Sequence, residues 1–187
     1  GIKFFGLDPA KATILSLGGS LGAKNINEAL HKHLEEFEHN GLQLIWQTGK
    51  LFAQRATERA GGKSNVWNGD FITNMEFAFA AADLVISRAG AMAIAELCVM
   101  KKPVVFVPYP FAAEDHQTVN AQSLVNKNAG IVIKDSEALD KLAPAIIALA
   151  KDEQRQTELK NNIAKLAVTN ADEIIAKEVW TTIEKGT

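Results

Sequence analysis

Residues 82–96, ADLVISRAGAMAIAE, decide the fold class of this chain. An apolar run at 84–86 stops at a Ser-Arg-Ala-Gly turn, and a helix-forming run that carries Glu96 follows. A buried parallel strand that enters a helix through a glycine turn leaves the first N–H groups of that helix without intrahelical partners. Those groups and the positive end of the helix dipole favour a bound phosphate. Glu96 lies about one and a half turns into the helix, within reach of a sugar hydroxyl, so the stretch predicts nucleotide binding.

The same alternation of apolar strands and helices continues along the whole chain. We expect strands at 13–17, 42–47, 65–67, 84–87, 104–107 and 130–133, and helices near 23–38, 51–60, 74–81, 91–100 and 115–128, with two or three more in 136–186. Strands this apolar, each followed by a helix, predict a Rossmann-like α/β fold with a doubly wound six-stranded parallel sheet. Ligands of such sheets bind beyond the carboxyl ends of the strands, near the switch point of the strand order.

Length and composition limit the classes of protein that remain. A chain of 187 residues with 47% apolar and 22% charged residues predicts one folded domain, residues 1–187. A net charge of −2 argues against a general nucleic-acid binder. The single Cys98 excludes an internal disulfide, and we expect neither a membrane span nor a signal peptide.

The turn GGSLG at 18–22 follows the first strand and has two interpretations. Its glycines permit close approach of a ligand, with Gly19 and Ser20 as contacts, or they form a tight strand–helix turn with Ser20 near the N-cap. The turn lacks the G-x-G-x-x-G spacing, and no acidic residue ends the second strand, which counts against NAD. Ala23 and Asn25 flank Lys24 where a Walker loop requires Gly and Ser/Thr, so a P-loop is excluded.

Three further groups of candidate site residues also keep two interpretations each. Glu96 has small or apolar neighbours, which predicts a buried carboxylate with a partner rather than a solvated one; Arg88 pairs with it or meets phosphate. Gln117 and Asn120 share a helix face and either bind sugar hydroxyls or are surface amides behind a capping Asp115. Phe71 and Ile72 follow a strand and either pack in the core or present backbone groups to a base.

No metal site, cofactor or catalytic centre is predicted. His31 and His33 stand two residues apart on a helix and do not share a face. The sequence contains no G-x-S-x-G nucleophile elbow, and no pair of carboxylates is placed for acid–base work. We therefore expect binding residues but no catalytic residue in this chain.

The motifs, in this order, resemble the carboxyl-terminal half of the MurG glycosyltransferases. They are GGSLGAKNINEAL at 18–30, WQTGK at 46–50, the Phe71-Ile72 strand end, ADLVISRAGAMAIAE at 82–96, KKPVVFVPYP at 101–110 and DHQTVNA at 115–121. Members of this family are two-domain GT-B enzymes that move N-acetylglucosamine (GlcNAc) from UDP-GlcNAc to lipid I, forming lipid II for peptidoglycan. The resemblance implies a UDP-GlcNAc-binding domain without an essential metal.

The resemblance also assigns roles to individual positions. It implies that Ser20 contacts the donor, that the Ile72 backbone meets uracil, and that Glu96 accepts the ribose hydroxyls. Amides of the turn at 91–93 would bind the diphosphate, and Gln117 with Asn120 would meet the GlcNAc. The site residues expected in total are Gly19, Ser20, Phe71, Ile72, Arg88, Gly90, Ala91, Met92, Ala93, Ile94, Ala95, Glu96, Gln117 and Asn120.

The sequence departs from the family pattern at several positions. Leu21 stands where many members carry Gln, and Ala89, Ala93 and Ala95 replace small hydroxyl residues, so side-chain contacts are lost there while backbone contacts survive. The amino-terminal half of the family, which holds the acceptor loop, the candidate base and the membrane-docking patch, is absent from the sequence. The family implies a peripheral enzyme at the cytoplasmic face of the bacterial inner membrane, reaching lipid I and membrane through that other half.

Two other functions remain open at this level. The first alternative is a stand-alone donor-binding subunit of a split lipid-linked GlcNAc transferase. The second is a non-catalytic nucleotide-sugar module or an epimerase half.

The last helix carries an apolar stripe. The stripe predicts packing in the core or, without the other domain, an exposed face that drives self-association. The stripe comprises Ile174, Ile175, Val179, Trp180 and Ile183.

Overall fold

Six parallel strands form one sheet in the computed structural model, which describes residues 1–19 and 21–185. The strands are β1 (Thr13–Leu17), β2 (Gln43–Gln47), β3 (Val66–Gly69), β4 (Leu84–Ser87), β5 (Val104–Phe106) and β6 (Ile131–Val132). Their order is β3-β2-β1-β4-β5-β6, and every neighbouring pair is parallel. This order confirms the predicted doubly wound, six-stranded parallel sheet.

The helices follow the predicted segments with small shifts of their ends. They are α1 (Lys24–His39), α2 (Ala53–Ala60), α3 (Met75–Ala81), α4 (Ala91–Met100), α5 (His116–Val125), α6 (Ala138–Ala150), α7 (Glu153–Ala164) and α8 (Ala171–Lys185). Helix α5 ends before residue 128 because Asn128 adopts a left-handed φ of 53°. The Ala129 N–H then donates to the Leu124 carbonyl at 2.9 Å, which closes the helix end.

Each face of the sheet carries its own hydrophobic core, since side chains alternate along a strand. Leu84 and Ile86 of β4 lie in the core that α1 and α6 cover. Val85, between them, lies in the second core, together with Ile72 and residues of α3, α4 and α5. Coverage on both faces explains why the strands are apolar at almost every position.

The switch point of the sheet lies between β1 and β4, which are neighbours in the sheet although α1, β2, α2, β3 and α3 separate them along the chain. From β1 the chain enters α1, which packs on the first core, and from β4 it enters α4, which contributes Leu97 to the second core. The turns after the two strands, 18–22 and 88–90, consequently flank one crevice at the carboxyl edge. Of the predicted site residues, Gly19, Arg88 and Gly90 belong to these two turns.

A buried asparagine and two glycines hold the first of these turns. The Asn27 side chain donates to the Thr48 carbonyl at 2.7 Å and accepts from Trp46 Nε1 at 2.9 Å. Gly22 (φ 81°) and Gly49 (φ 72°) meet so closely that a Cβ on either would lie within 2.4 Å of backbone atoms of the other turn. Backbone packing therefore requires these glycines, independently of a ligand.

Helix α8 contradicts the prediction that its apolar stripe packs in the core. Ile174, Ile175, Val179 and Trp180 are each more than half exposed, and so is Ile183. Within the described residues no helix has the length and apolar character needed to cross a membrane.

Candidate functional site

The N-terminus of α4 is open, as residues 82–96 predict. Gly90 is the N-cap and provides no side-chain cap, and the first amide bonded back into the helix is Ile94, which donates to the Gly90 carbonyl at 3.0 Å. The backbone N–H groups of Ala91, Met92 and Ala93 have no acceptor within residues 1–19 and 21–185. A Cβ placed on Gly90 would meet nothing within 4 Å, so the N-cap residue itself borders open space.

Glu96 lies on α4, four residues beyond Met92, and both side chains are exposed. The expectation that Glu96 is buried among apolar neighbours is wrong, because α4 turns only Leu97 and Cys98 fully toward the core. Glu96 makes no hydrogen bond or ion pair in the part of the chain that the structure describes. Its carboxylate is therefore available to a ligand at the start of the helix.

Arg88 has a different partner from the one expected. Its Nη1 donates to Asp135 Oδ1 at 2.5 Å, and also to the carbonyls of Val107 and Pro108 at 2.9 and 3.1 Å. The two charged side chains are 17% and 10% exposed. The predicted pairing with Glu96 is thus wrong, because the guanidinium turns toward β5 and the residues before α6 rather than along α4.

Gln117 and Asn120, one turn apart on α5, both contact the backbone of Ala89. Gln117 Oε1 accepts from the N–H groups of Ala89 (3.2 Å) and Tyr109 (3.0 Å). Asn120 Nδ2 donates to the Ala89 carbonyl at 3.1 Å. The two amides, predicted to share a helix face, do so and hold the turn that leads into α4.

These bonds also fix what the two amides offer to a ligand. Two backbone N–H groups can only face an oxygen, so the orientation of the Gln117 amide is determined and its Nε2 remains as a donor. Asn120 uses its Nδ2, and its Oδ1 remains as an acceptor. One donor and one acceptor side by side match adjacent hydroxyls of a sugar.

Phe71 and Ile72 follow β3. Their structure agrees in part with core packing and in part with a backbone that is open to a base. The Ile72 side chain is 3% exposed and packs in the second core. Its backbone N–H and C=O form no hydrogen bond among the described residues, although the Asp70 carbonyl just before accepts from Gly49 N at 3.0 Å. Phe71 is half exposed beside this free peptide edge.

The Gly-rich turn is described only in part. Gly19 is exposed with φ 70°, and a Cβ there would meet nothing within 4 Å, so this residue borders open space. Ser20, the predicted donor contact, lies outside the described residues.

A cavity of about 850 Å³ lies beside these residues, and of the predicted site residues that the structure describes only Arg88 and Gln117 line it. The residues at 71–72 and 90–96 lie outside that lining. Sequence reasoning missed Lys24, Asn25 and Asp135 as lining residues, and Asp135 carries no local signal because its partners are distant in sequence. Tyr109 lies between Pro108 and Pro110, and Phe111 follows Pro110; this proline-rich aromatic loop after β5 is a signal that the sequence does offer.

The titratable groups around the site bear on whether it could hold a metal or a reactive thiol. In the described part of the chain no group of three or more His, Cys, Asp or Glu side chains is placed to hold a metal ion. Burial raises the pKa of the Cys98 thiol, which disfavours its thiolate. The hydrogen bond from Arg55 lowers the pKa of Glu28, a carboxylate that lines the cavity.

The doubly wound sheet, its switch-point crevice and the open start of α4 define a Rossmann-like α/β domain with unpaired helix amides at the carboxyl edge of its sheet. Residues 13–176 match the family described as "Glycosyltransferase family 28 C-terminal domain", and the chain belongs to this family.

Relatives and a solved structure agree with this family. The chain is 47% identical over 187 residues to a protein of Phocaeicola vulgatus named UDP-N-acetylglucosamine–N-acetylmuramyl-(pentapeptide) pyrophosphoryl-undecaprenol N-acetylglucosamine transferase, covering 98% of this chain and 50% of that protein. A Bacteroides fragilis protein of the same name is 50% identical over 182 residues, covering 95% and 48%. The crystal structure of Acinetobacter baumannii MurG matches with a TM-score of 0.78 and 31% identity, over 91% of this chain and 52% of that one. The chain thus spans about half the length of these relatives.

Proposed function

We propose that residues 1–187 are the UDP-GlcNAc-binding domain of an inverting transferase that moves GlcNAc from UDP-GlcNAc to lipid I, forming lipid II. The observation that carries the proposal is the set of three unpaired amides at Ala91, Met92 and Ala93, with the free carboxylate of Glu96 on the next turn. The unpaired amides and the positive end of the helix dipole can bind a diphosphate, and the carboxylate can accept hydrogen bonds from the ribose hydroxyls. The relatives' names supply the donor and acceptor.

In this proposal the domain serves the departure of the leaving group. A hydroxyl oxygen of the acceptor sugar forms a bond to the anomeric carbon, while the bond from that carbon to the diphosphate oxygen breaks. The electron pair leaves with UDP, and the hydroxyl proton passes to a base in the other half of the enzyme. Amides aimed at the diphosphate stabilise the charge that develops there, which is transition-state stabilisation of the oxyanion-hole kind.

The other residues orient the donor. The free peptide edge of Ile72 presents one N–H and one C=O, the complement of the uracil edge, beside the exposed ring of Phe71. Gln117 and Asn120 present a donor and an acceptor to the sugar, and the turn around Gly19 closes over the ligand from the β1 side. Arg88 does not contact donor phosphate in this arrangement; it fixes the loop after β5.

The proposed transferase function also implies an acceptor substrate and a cellular location. Lipid I and the membrane surface would be reached through the amino-terminal half that the relatives possess, and the enzyme would lie at the cytoplasmic face of the bacterial inner membrane. No observation here favours a split subunit, an epimerase half or a non-catalytic module over this function.

Isothermal titration of the chain with UDP-GlcNAc, UDP-glucose and ADP-glucose tests the proposal. We expect UDP-GlcNAc to bind most tightly, UDP-glucose more weakly because it lacks the acetamido group, and ADP-glucose least because a purine does not match the Ile72 peptide edge. Equal affinity for the three sugars, or binding of none of them, would overturn the assignment.

A further inference from the structure

The cavity of about 850 Å³ at the carboxyl edge, named here the rim cavity, extends well beyond the predicted donor site. It lies between the β1–α1 turn, the start of α2 at Leu51 and Phe52, and the loop that carries Tyr109 and Phe111. Gln117 stands at its wall, where the sugar of the donor is proposed to bind. The volume greatly exceeds that of one hexose, so a donor sugar at Gln117 leaves most of the cavity unfilled.

The walls of the rim cavity combine exposed apolar side chains. Leu21, Leu51 and Phe111 are 80%, 87% and 81% exposed, and all three line the cavity. The ring of Tyr109 packs edge-on against Phe111 at 5.7 Å and lies 5.5 Å from the Arg88 guanidinium. Large apolar side chains grouped in solvent are typical of a surface that is covered when a ligand or partner binds.

Among the described residues, one cation of the cavity lining forms no salt bridge, although its charge is among the causes that lower the pKa of Glu28. Glu28 is held by both Nη atoms of Arg55, at 2.6 and 3.0 Å. Asp135 is held by Arg88 and by the Asn25 side chain. Lys24, which also lines the cavity, forms no salt bridge in the described part of the chain. The cavity therefore suits an elongated, partly apolar ligand that ends in an anion.

We propose that the rim cavity binds the peptide of the acceptor, with the terminal carboxylate of that peptide at Lys24 and its apolar side chains against Leu21, Leu51 and Phe111. This inference rests on the proposed function, since it takes the muramyl-pentapeptide acceptor from the names of the relatives. It adds a contact between the peptide and this domain to the contacts that lipid I would make with the amino-terminal half. The attacking hydroxyl must come within about 3.5 Å of the anomeric carbon. A donor sugar at Gln117 therefore brings the acceptor, and the peptide attached to it, next to this cavity.

Nuclear magnetic resonance of the ¹⁵N-labelled chain tests the proposal. UDP-GlcNAc is added first, followed by soluble N-acetylmuramyl-pentapeptide without lipid, N-acetylmuramic acid without peptide, or inorganic pyrophosphate. We expect the peptide-bearing probe alone to shift the amides of Lys24, Leu51 and Phe111. Lys24→Ala should weaken its binding roughly two- to fivefold, the range for an exposed ion pair. The matched control Lys50→Ala, an exposed lysine outside the cavity lining, should leave binding unchanged.

Each remaining outcome decides between the two proposals. UDP-GlcNAc that shifts Ala91 and Met92 while the peptide probe shifts nothing in the cavity overturns the peptide site and leaves the donor function intact. Equal shifts from N-acetylmuramic acid, or from pyrophosphate at Lys24, also overturn it, because the cavity would then hold a sugar or a simple anion. Absence of any shift with UDP-GlcNAc contradicts the proposed function itself.

Discussion

The side-chain oxygen of Gln117 accepts a hydrogen bond from the backbone N–H of Ala89 at 3.2 Å and thereby joins α5 to the turn that precedes α4. The same oxygen accepts from Tyr109 N at 3.0 Å, so one amide connects the loops after β4 and β5. Both bonds use the oxygen, and the group left for a ligand is the NH₂. The orientation of a candidate sugar contact is thus set by the backbone around it.

Replacement of Gln117 by Glu separates its structural role, which is to bond the two loops, from its proposed role in binding the sugar. A carboxylate keeps an oxygen for Ala89 and Tyr109, but it presents a second oxygen where the NH₂ stood. We expect the variant to fold normally and to lose about 1–2 kcal/mol of UDP-GlcNAc affinity, while UDP affinity is retained. Calorimetric titration with both ligands measures the difference. Equal losses for UDP and UDP-GlcNAc would remove Gln117 from the sugar site.

The structural role of the same residue is tested by Gln117→Ala. This change leaves the N–H groups of Ala89 and Tyr109 without their acceptor, which should lower the free energy of unfolding by about 1 kcal/mol. Urea denaturation of the two variants side by side gives the comparison. If Gln117→Ala and Gln117→Glu are equally stable, the bonds to the two loops contribute nothing.

Glu96 is the next residue whose role is open to a direct test. Glu96→Ala should leave stability unchanged because the side chain is exposed and has no partner in the described chain. We expect UDP affinity to fall by about 1–3 kcal/mol if its hydrogen bonds to the ribose are lost. The variant should also no longer distinguish UDP from 2′-deoxy-UDP. Glu76→Ala, which removes an exposed acid in the first turn of α3, is the control. Unchanged affinity would make Glu96 a solvated surface residue.

The sequence predicts β4 and α4 to the residue, because an apolar run, a glycine N-cap and a helix-forming run mark each boundary in turn. It does not predict the exposure of Glu96. Apolar residues lie all around α4, so no stripe tells which side the sheet covers, and the exposed face of the helix cannot be recognised from local pattern.

The partner of Arg88 is beyond sequence reasoning for a different reason. Asp135 lies 47 residues away, and it reaches Arg88 only because β5 and β6 add to the sheet in order beside β4. The sequence predicts Gln117 as a site residue, but its bonds to Ala89 and Tyr109 depend on how α5 packs across two loops. Such distances follow from tertiary structure, which periodicity does not encode.

The ion pair of Arg88 and Asp135 should be important for stability. Both side chains are mostly buried, and removal of one charge leaves the other without compensation. We expect Asp135→Ala to cost about 3 kcal/mol of unfolding free energy. The double variant Asp135→Ala with Arg88→Met should cost less than the sum of the single changes, as a double-mutant cycle in urea would show. Additive costs would mean that the two charges do not interact.

Acid should weaken the fold partly through Glu35. Hydrogen bonds from Lys63 and then Arg59 lower the pKa of this carboxyl from 4.5 to about 2. A carboxyl with a depressed folded pKa stabilises the fold fully above its unfolded pKa, and this contribution is lost as the pH falls from about 4.5 toward 2. Unfolding measured across this window should be less pH-dependent in Glu35→Gln than in the parent chain. The difference should shrink in high salt, because the pair is at the surface. Parallel pH profiles for the two proteins would contradict the role of Glu35.

The exposed stripe of α8 should make the isolated chain associate with itself. Ile174, Ile175, Val179 and Trp180 are each more than half exposed on one 15-residue helix, and such a group of apolar side chains is unfavourable in water. Light scattering over a concentration series should show a mass that rises with concentration. The pair of changes Ile175→Glu and Val179→Glu should abolish the rise, because a charge at either position opposes burial of the stripe. Lys177→Glu, which changes a polar residue of the same helix, serves as the control and should leave the rise in place. A mass that stays at one chain over the whole series would mean that the stripe does not drive self-association.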